Sequence, residues 1–210
     1  MQDDSLVVGD WVLSRPSDAE ADPGWVVARV PPLTHLQRRD SSGQRQRLAS
    51  NVDTALLVMS CGHDFNLRRL DRYLALVRMA GVAPVLVLSK ADLHPDPSRR
   101  LAEVAAHVGM DLPAVAVDGQ RPQALEALSL WLRPGQTLVL LGSSGAGKST
   151  LTNTLCQAVG AAVTQDTGGV RRGDERGRHT TTHRSLHRCA GSACIIDTPG
   201  LRGLQLDANV

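Results

Sequence analysis

The 210-residue chain has very few aromatic residues (three Trp, one Tyr and one Phe) and only two lysines among its 23 basic residues. Five aromatics offer little for a base-stacking platform, which uses several side chains along a groove. No apolar run of about 18 residues occurs, which rules out a transmembrane helix. The opening, MQDDSLVVGD, is acidic where a secretory leader would be basic, so a cytoplasmic location without membrane contact is expected. Cys61, Cys156, Cys189 and Cys194 form no CxxC pair and read as reduced thiols. A net charge of only +2, with 42% hydrophobic and 21% charged residues, excludes a disordered chain. The length suits one full domain and a small second one.

Residues 1–49 carry short apolar pieces (Leu6–Val8, Trp11–Leu13, Trp25–Val30) broken by Gly9, Pro16, Pro23 and Gly24, the texture of short strands and turns. From about residue 50 the pattern changes. Leu56–Met59, Val82–Leu88, Val115–Val117, Thr137–Leu141 and Ala193–Ile196 read as buried strands. Asn66–Met79, Pro97–Val108 (Asp96 as N-cap), Gln123–Leu132 and a segment containing Leu151–Ala158 read as helices. Alternating strands and helices predict an α/β fold with a mostly parallel sheet covered on both faces. A small all-β module over 1–49 and an α/β domain over 50–210 are therefore expected.

The strongest motif is Gly142-Ser143-Ser144-Gly145-Ala146-Gly147-Lys148-Ser149-Thr150, a complete GxxxxGK[ST] between an apolar strand and a helix. Its glycines let backbone N–H groups close around a β-phosphate at a helix N-terminus. Lys148 is placed to bridge β- and γ-phosphate oxygens, and Ser149 to ligate Mg²⁺. This motif by itself serves ATP and GTP alike.

Two further motifs bear on that choice. Asp197-Thr-Pro-Gly200 follows a buried strand as a DxxG turn, with Asp197 a candidate for holding Mg²⁺ through water and Gly200 for sensing the γ-phosphate. Ser89-Lys90-Ala91-Asp92 also ends a strand and resembles the [NT]KxD tetrapeptide that reads guanine. There Asp92 would accept from two purine N–H groups that adenine lacks, and the Lys90 stem would lie along the ring. Ser89 keeps a hydroxyl but is shorter than Asn. A transporter-type ATPase would need a glutamate after Asp197 and an LSGGQ-type signature, and neither occurs. The two lysines of this arginine-biased chain, Lys90 and Lys148, both fall in these motifs.

The base-reading motif here precedes the P-loop by about fifty residues, the reverse of the usual order. With Val8-Gly-Asp-Trp-Val12, Asn51-Val52-Asp53, Phe65-Asn66, Arg72-Tyr73-Leu74 and Gly177-Arg-His-Thr-Thr-Thr182, the chain resembles the circularly permuted, small-ribosomal-subunit-dependent GTPases of the RsgA (YjeQ/EngC) family. The resemblance implies an OB-fold module followed by a permuted P-loop GTPase domain. It implies GTP, GDP and Mg²⁺ as ligands, and the small (30S) ribosomal subunit with its 16S rRNA as partner, for a monomer acting in late subunit maturation. Zinc belongs to a C-terminal domain of the family whose ligand set is not found here, so a truncated or reduced form is expected.

Position 201, where many GTPases carry a water-orienting Gln, is Leu201. The polar, Gly-rich stretch from Gly168 to His183 looks like switch I. Thr181 is the choice for the Mg²⁺/γ-phosphate ligand, with Thr180 as alternative, and the resemblance implies that His179 orients the water. His179, His183, His187 and Cys189 would gather around a metal only on a helix, and TTT with a following strand argues against one. Arg38, Arg39, Arg45 and Arg47 form a basic stretch that reads either as a phosphate-binding face for RNA or as a solvated surface. The competing functions are an ATP-dependent P-loop kinase or transporter ATPase, and a non-catalytic, nucleotide-gated RNA-binding module.

Overall fold

The computed structural model describes residues 5–15, 24–39, 43–157 and 184–198. Runs such as TALLVMS (β5, Thr54–Ser60) and APVLVLS (β6, Ala83–Ser89) have no polar face, and such strands are stable only with both faces covered. They join β7 (Ala114–Ala116), β8 (Thr137–Leu141), β9 (Ser185–Arg188) and β10 (Cys194–Asp197) in one six-stranded sheet. Its order is β7-β6-β5-β8-β10-β9, parallel except for β9, which runs antiparallel to β10.

The period of two sorts the core into two layers. On one face Ala55, Leu57, Met59, Leu86, Leu88, Val139, Leu141 and Ile196 meet helix α1 (Leu67–Met79) and Val104 of α2 (Pro97–Val108). On the other, Leu56, Val58, Val85, Val87, Leu138, Leu140 and Ile195 meet α3 (Gln123–Leu128) and α4 (Lys148–Gln157). The helix starts are set by local chemistry. Asn66 accepts the Arg69 N–H and caps α1, while Asp96 accepts the Arg99 N–H and Pro97 opens α2. Helix α3 stops at Leu128, short of the expected Leu132. The Ser129 hydroxyl bonds the Glu126 carbonyl, and Pro134 lies just beyond.

The N-terminal part forms two antiparallel pairs, β1 (Val12–Arg15) with β2 (Trp25–Arg29) and β3 (His35–Arg39) with β4 (Arg45–Ser50), which fit an OB-like module. Trp11 and Trp25 are exposed, whereas Leu36 and Leu48 are buried in the same cluster as Leu70 and Tyr73 of α1. The β3–β4 pair is thereby packed on the α/β unit. Asn51 fastens the junction from a left-handed backbone position (φ 53°). Its side chain donates to the Gly9 carbonyl at 2.8 Å and accepts from the Leu33 N–H at 2.9 Å. Leu6–Val8, expected as strand, is irregular, ending in a turn at Val8 and Gly9.

Candidate functional site

In an open parallel sheet the loops leaving the carboxyl ends of the strands form the binding crevice. Here β6 delivers Ser89-Lys90-Ala91-Asp92, β5 delivers Cys61–Asn66, β8 delivers the P-loop and β10 delivers Asp197. Because β5 and β8 are neighbours and β6 flanks β5, the tetrapeptide and the P-loop meet across one strand. Ser89, 1% exposed, donates its hydroxyl to the Ala146 carbonyl at 2.6 Å, and the Lys90 ammonium reaches the Gly145 carbonyl at 2.8 Å. Lys90 holds a left-handed backbone (φ 55°), which turns the chain into the short 3₁₀ turn Ala91–Leu93. Asp92 is exposed on that turn.

The P-loop glycines have distinct reasons. A Cβ on Gly142 would sit 2.3 Å from the Val58 carbonyl oxygen, so only Gly lets the loop leave β8 against β5. Gly145 (φ 79°) and Gly147 (φ 93°) occupy the left-handed region that turns successive N–H groups inward. Lys148, buried at the start of α4, folds back onto the Gly142 carbonyl (3.1 Å) and the Ser143 carbonyl (2.9 Å). Burial pulls its pKa below the usual lysine value, while the carboxylates of Asp197 and Asp64 push it back up. Thr150 follows on the same helical turn.

Asp197, fully buried, ends β10, and the next residue, Thr198, donates its hydroxyl to the Leu140 carbonyl at 2.6 Å. That bond ties the start of the DxxG turn to the P-loop strand. Among the described residues no three His, Cys, Asp or Glu side chains could cage a metal alone. A Ser149 hydroxyl on the first turn of α4 and an Asp197 carboxylate are instead hard oxygen donors. They fit Mg²⁺, which takes few protein ligands and completes its shell with phosphate and water.

Comparison with known proteins then places this geometry. The family model for RsgA GTPase matches residues 30–207. The chain belongs to the RsgA GTPase family. It is 46% identical over 200 residues to the small ribosomal subunit biogenesis GTPase RsgA of Mesorhizobium japonicum, covering 95% of this chain and 56% of that protein. It is also 46% identical over 208 residues to RsgA of Opitutus terrae, covering 95% and 55%. The chain thus spans about half the length of the curated relatives it matches. Among solved structures, YjeQ from Thermotoga maritima aligns with a TM-score of 0.67 at 23% identity, over 95% of this chain and 62% of that one. YloQ, a circularly permuted GTPase, aligns with a TM-score of 0.60 at 22% identity, over 97% and 60%. These two likenesses establish the permuted α/β fold.

Of the residues the sequence singled out, Ser89 and Lys90 are bonded to Ala146 and Gly145 of the P-loop, and Lys148 to Gly142 and Ser143 of the same loop, with the Asp197 carboxylate favouring the charged form of Lys148. His179, Thr180, Thr181, His183, Gly200 and Leu201 lie outside the described residues. The strand expected after the threonines is β9. The basic stretch is split by the pleat: Arg39 and Arg45 pair directly and share a face with Arg47, while Arg38 points to the other face and donates to Gln46 at 2.9 Å. Two features escaped the sequence reading. The Ala91 N–H bonds the Val117 carbonyl, so the residue after β7 supports the 3₁₀ turn Ala91–Leu93. Asp64, in the loop after β5, accepts the Ser143 hydroxyl at 2.6 Å and pairs with Arg69.

Proposed function

We propose that this RsgA-family chain binds GTP and GDP with Mg²⁺ and hydrolyses GTP to GDP and phosphate. We propose also that it acts on the small ribosomal subunit, as the names of its relatives state for them. The observation that carries the guanine reading is the seating of Ser89 and Lys90 on the P-loop backbone. Sheet order brings a tetrapeptide some fifty residues upstream onto the P-loop, and its bonds there put a base-reading carboxylate within reach of a ligand whose phosphates the loop holds. In this reading the residues Gly142 to Gly147 wrap the phosphates with backbone N–H groups. Lys148 leaves its two carbonyls for the β/γ-phosphate oxygens, and Asp92 accepts from the guanine N–H groups. Ser149 and Asp197 would hold Mg²⁺, with Thr181 joining them, and the ion would supply charge neutralisation of the phosphates. Gly200 senses the γ-phosphate and His179 orients the attacking water, since Leu201 has no polar group to do so.

Residues 1–49 act as an OB-like module and 50–210 as the nucleotide domain. Arg39, Arg45 and Arg47, with Arg38 on the other face, contact 16S rRNA phosphates. The protein works as a cytoplasmic monomer; no helix among the described residues is long and apolar enough to cross a membrane. The test is titration calorimetry with GDP against ADP, followed by GTP turnover with and without small subunits for wild type and His179→Ala. Preference for GDP, stimulation by subunits and its loss in His179→Ala are expected. Equal affinity for ADP would sink the guanine assignment.

A further inference from the structure

The loop between β5 and α1 puts a carboxylate against the phosphate cradle. Asp64 accepts a short hydrogen bond from the Ser143 hydroxyl, at the second position of the P-loop, and its other oxygen takes the guanidinium of Arg69. Both side chains of this ion pair are about four-fifths buried (22% and 23% exposed). Arg69 is held in turn, because its backbone N–H is capped by Asn66 in the first turn of α1. The same Ser143 gives its carbonyl to the Lys148 ammonium at 2.9 Å, so Asp64, Ser143 and Lys148 form one connected group. A carboxylate so near a triphosphate would repel it. At partly buried sites such a charge is felt over many ångströms unless a counter-ion is fixed beside it.

We propose that Asp64 is a positioning residue for the P-loop, holding Ser143 in place, and that Arg69 is the counter-ion that keeps its charge from opposing the phosphates. The proposal rests on the guanine-nucleotide reading above. Asp64 fixes the loop whose Gly142 and Ser143 carbonyls hold the Lys148 ammonium. Arg69 neutralises Asp64 from α1, the helix whose Leu70 and Tyr73 are packed with Leu36 and Leu48 of the β3–β4 pair. The cradle is therefore anchored to the element on which the basic strands sit.

Removing the two charges singly and together gives a test that a plain structural staple would fail. Affinities for a fluorescent GDP and a fluorescent non-hydrolysable GTP analogue are measured by stopped-flow for wild type, Arg69→Ala, Asp64→Asn, the double variant and Lys148→Ala. Circular dichroism melts confirm that each variant is folded. Arg69→Ala leaves Asp64 unneutralised and should weaken the triphosphate about tenfold, and the diphosphate less, because the γ-phosphate adds charge. Adding Asp64→Asn should restore most of the loss, since Asn still accepts from Ser143 while carrying no charge. A double variant as weak as Arg69→Ala, or an Arg69→Ala with wild-type affinities for both nucleotides, overturns the proposal while leaving the guanine reading standing. A wild type that binds neither nucleotide, or binds them as well after Lys148→Ala, overturns both.

Discussion

Ser89 offers the sharpest test of how the base-reading turn and the cradle depend on each other. Its hydroxyl is buried and bonded to the Ala146 carbonyl at 2.6 Å, and Ala146 is itself fully buried. Ser89→Ala removes the donor and leaves that carbonyl with no water to replace it. An average buried hydrogen bond contributes about 1 kcal/mol net, and stranding a buried acceptor costs about 1–3 kcal/mol. The second contact of the hydroxyl, to the Met59 carbonyl at 3.5 Å, is too long to add much. A domain of this size loses about 2–4 °C in Tm per kcal/mol, so Ser89→Ala should melt roughly 2–12 °C lower. Because the untethered loop is looser, part of the lost free energy returns as an ordering cost on binding. The Kd for GDP should rise by about 3- to 30-fold, mainly through faster release. Ser89→Thr keeps the hydroxyl and should recover most of both effects. Differential scanning fluorimetry and stopped-flow release of labelled GDP read the two quantities. A Ser89→Ala protein with unchanged Tm and release rate, or a Thr variant as damaged as Ala, would refute the tether.

Lys148→Ala should abolish GTP turnover while the fold persists, because the ammonium's loss relieves a burial penalty; Lys148→Arg should not rescue it, as a planar fork does not fit a loop built around a point charge. Asp92→Asn should weaken GDP by about 2–3 kcal/mol in calorimetry and shift preference toward xanthine nucleotides, whose extra carbonyl suits an amide donor. Tyr73 carries a buried hydroxyl without a hydrogen-bond partner among the described residues, and burial pushes its pKa from 10.0 up to about 12. Its neutral form is favoured in the folded state, so the stability present below pH 10 is lost as pH rises toward 12. Tyr73→Phe should match or exceed wild-type stability at neutral pH by about 1 kcal/mol and flatten that alkaline loss in urea titrations. Gly191→Ala should destabilise severely, by more than about 3 kcal/mol: its φ is 67° and the new Cβ would meet the Leu132 carbonyl oxygen at 1.6 Å.

What the sequence revealed followed the range of the forces involved. Helix α2 was readable to the residue, because Asp96, Pro97 and the closing Gly109 act on their own few neighbours. Strands β5, β6 and β8 were readable because apolar runs bounded by turn residues leave no other place for them than the centre of a sheet. Periodicity alone carries α3 on to Leu132, whereas the helix ends at Leu128, where the Ser129 hydroxyl diverts the backbone. Within the site, the P-loop and Ser89–Asp92 were legible as contiguous strings. The Asp64–Ser143 bond joins residues 79 apart and could not be read, because nothing in either segment names its partner. The tether from Ser89 lay between these cases: the residue was visible, but its acceptor appears only once β6 and β8 are set either side of β5.

The reversed motif order is tolerated because sheet order, and not chain order, decides which loops meet. Read from one edge to the other, β9, β10, β8, β5, β6 and β7 present Asp197, the P-loop and the Ser89–Asp92 turn side by side. Rearranging the chain moves the burden to a new joint. After β7 at the sheet edge, the chain must return to β8 in its middle, passing β6 and β5. It does so through α3, whose Ala124 and Leu128 bury against the cluster that includes Leu151 and Leu155 of the P-loop helix. The crossing then runs close under the turn at residues 190–192 between β9 and β10. There the Leu132 carbonyl approaches Gly191 so closely that no side chain fits, and the Gln136 carbonyl takes the Cys194 N–H at 2.8 Å. The joint is thus welded to the hairpin that ends in Asp197. Slack in the crossing would be transmitted directly to the strand that holds the Asp197 carboxylate, which is why Gly191 bears on where that carboxylate sits.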